Sequence, residues 1–163
     1  METHITQVGI LSDSHDNMDA LKSAVTVFNE KNVDLVIHAG DLVSPFTARE
    51  INRLSCPVVI VYGNNDGEIL GLNKTFQGNI FQPPHTIKVN EKKVLIMHDP
   101  ILLGELEKKN GFDVIIYGHL HEVDIRTGKP VIINPGECGG WLTGRKTVAI
   151  WHVDTDDVEL IDL

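Results

Sequence analysis

Asp13 and His15 stand two residues apart, and so do His119 and His121. At a strand end, side chains with that spacing can point the same way, and Asp with His supplies oxygen and nitrogen donors for Mn, Fe, Ni or Zn. Three further stretches carry the same residue types: Gly40-Asp41, Gly63-Asn64-Asn65-Asp66 and His98-Asp99. No cysteine stands among them, so a thiolate site is not suggested. Taken singly, most of these fragments read as ordinary loop chemistry, Gly40-Asp41 as a turn or cap and 63–67 as a turn. Together they offer more donors than one tetrahedral ion needs. They suit two ions about 3.5–4 Å apart that share one carboxylate.

The apolar pattern explains how distant residues could meet. Residues 5–11, 33–39 and 58–62 are short apolar runs that read as strands. Between the first two, Met18, Leu21, Val25 and Phe28 recur at spacings of three and four, which predicts a helix capped by Asp16 or Asn17. Residues 45–54 read as a second helix with Pro45 in its first turn. This β-α-β-α-β order predicts parallel pairing. In the second half, 86–89 and 94–97 read as a hairpin, 102–110 as a short helix closed near Gly111, and 113–117 as a buried strand. Residues 123–126 with 131–133, and 147–152 with 158–162, read as two more hairpins. The expectation is one α/β domain over 1–163, partly parallel at first and richer in antiparallel pairs later. Each donor cluster follows a predicted strand, at the edge where open α/β sheets place their ligands.

Composition narrows the function. A net charge of −9 over 163 residues argues against a nucleic-acid polymer as partner, because such proteins need a basic face to release counterions. The same charge suits a chain whose clustered carboxylates are offset by divalent cations. Two unpatterned cysteines, Cys56 and Cys138, give no disulfide framework. No apolar run is long enough to span a membrane, and the first residues lack a basic leader segment. A cytoplasmic protein without membrane attachment is expected, and a homo-oligomer stays open.

Asp-x-His, Gly-Asp, Gly-Asn-x-Asp, a strand-end His and Gly-His-x-His, in that order, resemble the calcineurin-like metallophosphoesterase superfamily. Asn134-Pro135-Gly136-Glu137-Cys138 and Leu142-Thr143-Gly144 are similar to its compact bacterial and archaeal phosphodiesterase branch. The resemblance implies a four-layer α/β/β/α sandwich of two mixed β-sheets flanked by helices. It implies two divalent ions per chain, Mn first, with Ni, Fe or Zn as alternatives. Asp13, His15 and His121 would hold one ion and Asn64, His98 and His119 the other, with Asp41 between them. Asp41, Asn64 and His98 would carry catalysis, and Asn64, Asn65 and Asp99 would meet the substrate, a small phosphodiester attacked by a bridging hydroxide.

Two departures from the family pattern stand out. Many relatives have His after the motif Asn, whereas this chain has Asn65, and an amide cannot donate a proton usefully at pH 7. Relatives carry Gly after the strand-end His, whereas this chain has Asp99-Pro100. Gly40-Asp41 continues into Leu42-Val43-Ser44, unlike the Asp-Arg-Gly of protein phosphatases. His38 reads as packing or support for a metal carboxylate, and Trp141 as packing in a core or interface. Two other readings are a nucleotide phosphatase and a protein-binding scaffold resembling the retromer subunit of this fold. Completeness of the donor set favours the enzyme.

Overall fold

The computed structural model describes residues 4–109 and 111–163. Two mixed sheets lie face to face. The first runs β11-β10-β1-β2-β3-β4, from Val158–Asp162 (β11), Thr147–His152 (β10), Gln7–Leu11 (β1), Leu35–His38 (β2) and Val58–Val61 (β3) to Ile80–Phe81 (β4). Its members β1 to β4 are parallel, and β10 and β11 add antiparallel pairs. The second runs β5-β6-β7-β9-β8, through His85–Val89, Lys92–Ile96, Val114–Ile116, Val131–Pro135 and Val123–Arg126. Its outer pairs are the predicted hairpins, but its centre, β6-β7-β9, is parallel. The second half is therefore less antiparallel than the hairpin signals suggest, because the helix Leu103–Lys108 carries the chain from β6 across to a parallel β7, and the β8-β9 hairpin lays β9 parallel beside β7.

Strand side chains alternate between faces, and that alternation builds the layers. Val8, Ile10, Ile37 and Val61 face Val94, Ile96, Val114, Ile116, Val131 and Ile133 between the sheets. Leu11, Val36 and Ile60 face the other way, onto the helices Met18–Glu30 (α1), Ala48–Ile51 (α2) and Ile69–Thr75 (α3), through Leu21, Ala24, Phe28, Ile51 and Leu72. Leu95, Met97, Ile115 and Ile132 leave the second sheet outward to meet the helix Leu103–Lys108 (α4). The result is the expected four-layer sandwich. Each fully buried Leu, Ile or Phe contributes about 1.5–3 kcal/mol relative to exposure.

Local chemistry sets the element ends. Asn17 caps α1, its Oδ1 accepting from the Ala20 amide at 3.1 Å, while its Nδ2 donates to the Gly139 carbonyl at 2.8 Å. Asp16, the other candidate cap, instead accepts from the amide and hydroxyl of Ser44. The helix expected over 45–54 is a 3-10 turn, Pro45–Thr47, followed by the single turn of α2. Thr47 Oγ1 donates back to the Ser44 carbonyl and holds that tighter start. The sequence reading misses α3 and β4, which are too short to show a period. The expected end of α4 at Asn110 lies outside the described residues.

Candidate metal centre

The C-terminal ends of β1, β2, β3, β6 and β7 converge on one edge, and each delivers donors there. Asp13 and Asp41 are fully buried and His98 nearly so. His15 and His121 are half-buried, while Asn64 stands at the surface. Two three-residue clusters form, Asp13-His15-His121 and Asp13-Asp41-His98. Asp41 Oδ2 lies 3.3 Å from His15 Nε2 and 3.3 Å from His98 Nε2. Asp13 Oδ1 lies 3.4 Å from His121 Nε2, 3.8 Å from His15 Nε2 and 4.0 Å from His98 Nε2. Asn64 Oδ1 is 2.9 Å from both His98 Nε2 and His119 Nδ1. The rings pair in the same way: His15 stacks with His121, and His119 meets His98 edge-on.

The backbone is bent to achieve this. Asp13, His15, Asp41, His119 and His121 all have left-handed φ, between 41° and 67°. Such residues cost of order 1–3 kcal/mol each and persist where surrounding structure holds them. Gly40, at φ 101°, allows a close approach. A Cβ there would lie 2.5 Å from His98 Nδ1.

The surrounding hydrogen bonds decide which atoms face the centre. His98 Nδ1 donates to the Ala39 carbonyl at 2.7 Å, which leaves Nε2 to point inward. His121 Nδ1 bonds Glu137 Oε2 at 2.8 Å with the same effect. Asp13 Oδ2 accepts from the Ser12 hydroxyl and the His119 amide, which leaves Oδ1 free. Asp66, buried, accepts from the amides of Asp41, Val43 and Gly63 and ties two donor loops together. Asn65 bonds Asp41 twice, from its amide and from Nδ2, each at 2.8 Å. His38 is no donor to the centre; its Nδ1 accepts from the Gly40 amide and its Nε2 meets Ser14 Oγ. Burial pushes His38 down to about 3, so it stays neutral.

Charge in this cluster fits a bound cation. Asp13 Oδ1 and His15 Nε2 are buried without a hydrogen-bond partner among the described residues, an arrangement that costs free energy unless something else satisfies them. Ligands about 2.0–2.2 Å from an ion sit roughly 3–3.6 Å apart across its coordination angles, and the inward-facing separations run from 2.9 to 4.0 Å. Burial opposes the charge on Asp41, but the His98 imidazole at 3.3 Å and hydrogen bonds from Asn65 hold its carboxyl well below the usual range. The carboxylate of Asp13, 3.8 Å away, together with that of Asp41 raises His15 despite its burial. His98 is also raised, its burial outweighed by Asp41. The donor set is thus rich in negative charge, and it fits divalent ions.

Other sequence candidates fall at the rim. Asp99 is exposed, makes no hydrogen bond among the described residues and belongs to neither donor cluster. It does not cap α4, whose N-cap is Leu102. Trp141 is 64% exposed, against the packing expected of it, and its Nε1 donates to the His15 carbonyl. The residue that sequence reasoning missed is Glu137. It is fully buried and accepts from the amides of Trp141, Leu142 and Thr143 as well as from His121. Burial pushes its carboxyl up, but hydrogen bonds from Thr143 and His121 bring it down to about 2. Its position after Asn134-Pro135-Gly136, a turn at a strand end, was the available signal.

This fold, with two metal-capable Asp and His clusters on one edge and Asn64 and His119 beside them, is that of the metal-dependent phosphoesterases. The profile of the calcineurin-like phosphoesterase superfamily domain matches residues 7–156, and the chain belongs to that superfamily, in its compact branch. A phosphodiesterase of Methanocaldococcus jannaschii is 38% identical over 162 residues, covering 94% of this chain and 95% of that protein. The solved structure of an archaeal phosphodiesterase superposes with a TM-score of 0.89 at 34% identity, covering 96% of this chain and 99% of that one. Vacuolar Protein Sorting 29 of Cryptosporidium parvum shares the fold, with a TM-score of 0.60 at 15% identity over 99% and 98% of the two chains.

Proposed function

We propose that residues 1–163 form one domain that hydrolyses small phosphodiesters at a centre of two divalent ions, Mn first among the candidates. The observation that carries this reading is the pair of unsatisfied buried atoms, Asp13 Oδ1 and His15 Nε2, the latter 3.3 Å from Asp41 Oδ2. Asp13, His15 and His121 would hold one ion and Asn64, His98 and His119 the other. Asp41, equidistant from His15 and His98, would touch both. When bound, the ions supply Lewis acidity toward the phosphoryl oxygens and the attacking water.

The chain's own residues do the rest. Glu137 and the Ala39 carbonyl orient His121 and His98 so that each presents Nε2. Asn64 and His98 line the cavity where the substrate phosphoryl group would enter. Asn65, bound to Asp41, steadies that carboxylate and gives the leaving group no proton. General acid help is typically worth about 10²–10⁴-fold, so esters with good leaving groups are favoured. The relatives named as phosphodiesterases support this reading over a scaffold role. Hydrolysis of bis-nitrophenyl phosphate with and without Mn²⁺ tests it. Turnover that appears with Mn²⁺ and vanishes on chelation is expected, and turnover indifferent to both overturns it.

A further inference from the structure

The side of the centre formed by Asn64 and His98 opens into two cavities that share Pro83, His98 and Asp99. The nearer, of 240 Å³, is also bounded by Asn64 and Tyr62. The farther, of 510 Å³, is walled by Pro83, Pro84, Met97, Leu102, Leu106 and Phe112, and its size is that of a small-molecule site. The second cavity exists because Leu95 and Met97 face outward from β6 and α4 is only six residues long. That helix covers part of the apolar face and leaves Leu102 60% exposed at the rim.

We propose, resting on the phosphodiesterase reading, that this farther cavity seats one ester arm of the substrate, and that the arm is uncharged and apolar, an alkyl or aryl chain. A phosphoryl group held beside Asn64 and His98 would lie next to the wall the two cavities share, so that one of its ester arms can extend across it. The arm's path from there leads past Pro83 onto Met97, Leu106 and Phe112. Asp99 stands at the junction, exposed and unpaired among the described residues. A carboxylate at that point repels an arm that carries its own phosphate or carboxylate, more strongly in a partly dehydrated cleft than in water. The cavity and Asp99 together therefore select monoanionic diesters over substrates with a second charge.

Each methylene removed from water strengthens binding about fourfold, so two or three seated methylenes give about 15-fold to 60-fold. The test is calorimetric binding of hexyl methylphosphonate and ethyl methylphosphonate, monoanionic phosphodiester mimics whose alkoxide leaving groups are poor, to the Mn²⁺-loaded protein. The hexyl ester should bind at least about 15-fold tighter, and a 5-carboxypentyl ester should lose that advantage. Leu102→Asp should collapse the hexyl-to-ethyl ratio toward one. That variant should fold, because Leu102 is exposed and Asp is a favoured N-cap. Equal binding, no binding of either ester, or a ratio that survives Leu102→Asp overturns the proposal. A cavity that docks a peptide segment instead would show no preference among the arms. A hexyl preference without any diester turnover would overturn the phosphodiesterase reading and leave the cavity assignment standing.

Discussion

Asp13, His15 and His121 lie on the closed side of the centre, and Asn64, His98 and His119 on the open side. On the closed side Asp13 is fully buried, and His121 leans on Glu137, itself buried and held by three backbone amides. On the open side Asn64 is exposed, and His98, though itself buried, borders two cavities beside its contacts with the Ala39 carbonyl and Asn64. The difference teaches a division of labour. Under the two-ion proposal, one side would keep its ion and the other would trade enclosure for access. Asp41 is where the two meet.

Removing that meeting point should have the largest effect. Asp41→Ala is expected to lower kcat/KM by on the order of 10³-fold or more, about three units of 1.4 kcal/mol in transition-state stabilisation. Both ions should bind more weakly, read by metal titration. On the closed side alone, Glu137→Gln should lower the affinity of one ion by about 10–100-fold and spare the other, the usual cost of losing a carboxylate behind a metal histidine. Equal weakening of both ions would erase the distinction between the sides.

Glu137 also makes the closed side sensitive to acid. Its carboxyl sits at about 2 in the fold against an ordinary value of 4.5, so its contribution to stability is complete above that ordinary value. The contribution is lost as pH falls toward 2. Metal-free protein should therefore lose Tm between pH 5 and 3 more steeply than Glu137→Gln, as followed by thermal melts. Parallel slopes would show that the carboxylate is not anchored as described. The smallest effect belongs to the open side: Asp99→Gly should raise kcat/KM severalfold with bis-nitrophenyl phosphate while metal content stays constant.

The donors of both sides were legible in the sequence, while parts of their support were not. Asp13-x-His15 and His119-x-His121 announce themselves by spacing, and the strand ends that carry them follow from apolar runs. Met18, Leu21, Val25 and Phe28 mark α1 because a long helix repeats its period several times. α3 and β4 repeat nothing and could not be read. The parallel centre of the second sheet depends on crossovers that local hairpin signals do not encode. Glu137 escaped for a related reason. A lone Glu after a turn is ordinary, and only the fold brings its carboxylate to His121, 16 positions away. The cavity beyond Asp99 depends on how little of the outer face α4 covers, a matter of packing rather than residue type.

The central claim is that Asp41 joins two ion sites. Metal analysis after reconstitution with Mn²⁺ and removal of free ion, on the wild type and on Asp41→Ala, tests it most directly. Two ions per chain in the wild type and one or none in Asp41→Ala is the predicted result. Two ions retained by Asp41→Ala, or no more than one in the wild type, would contradict it.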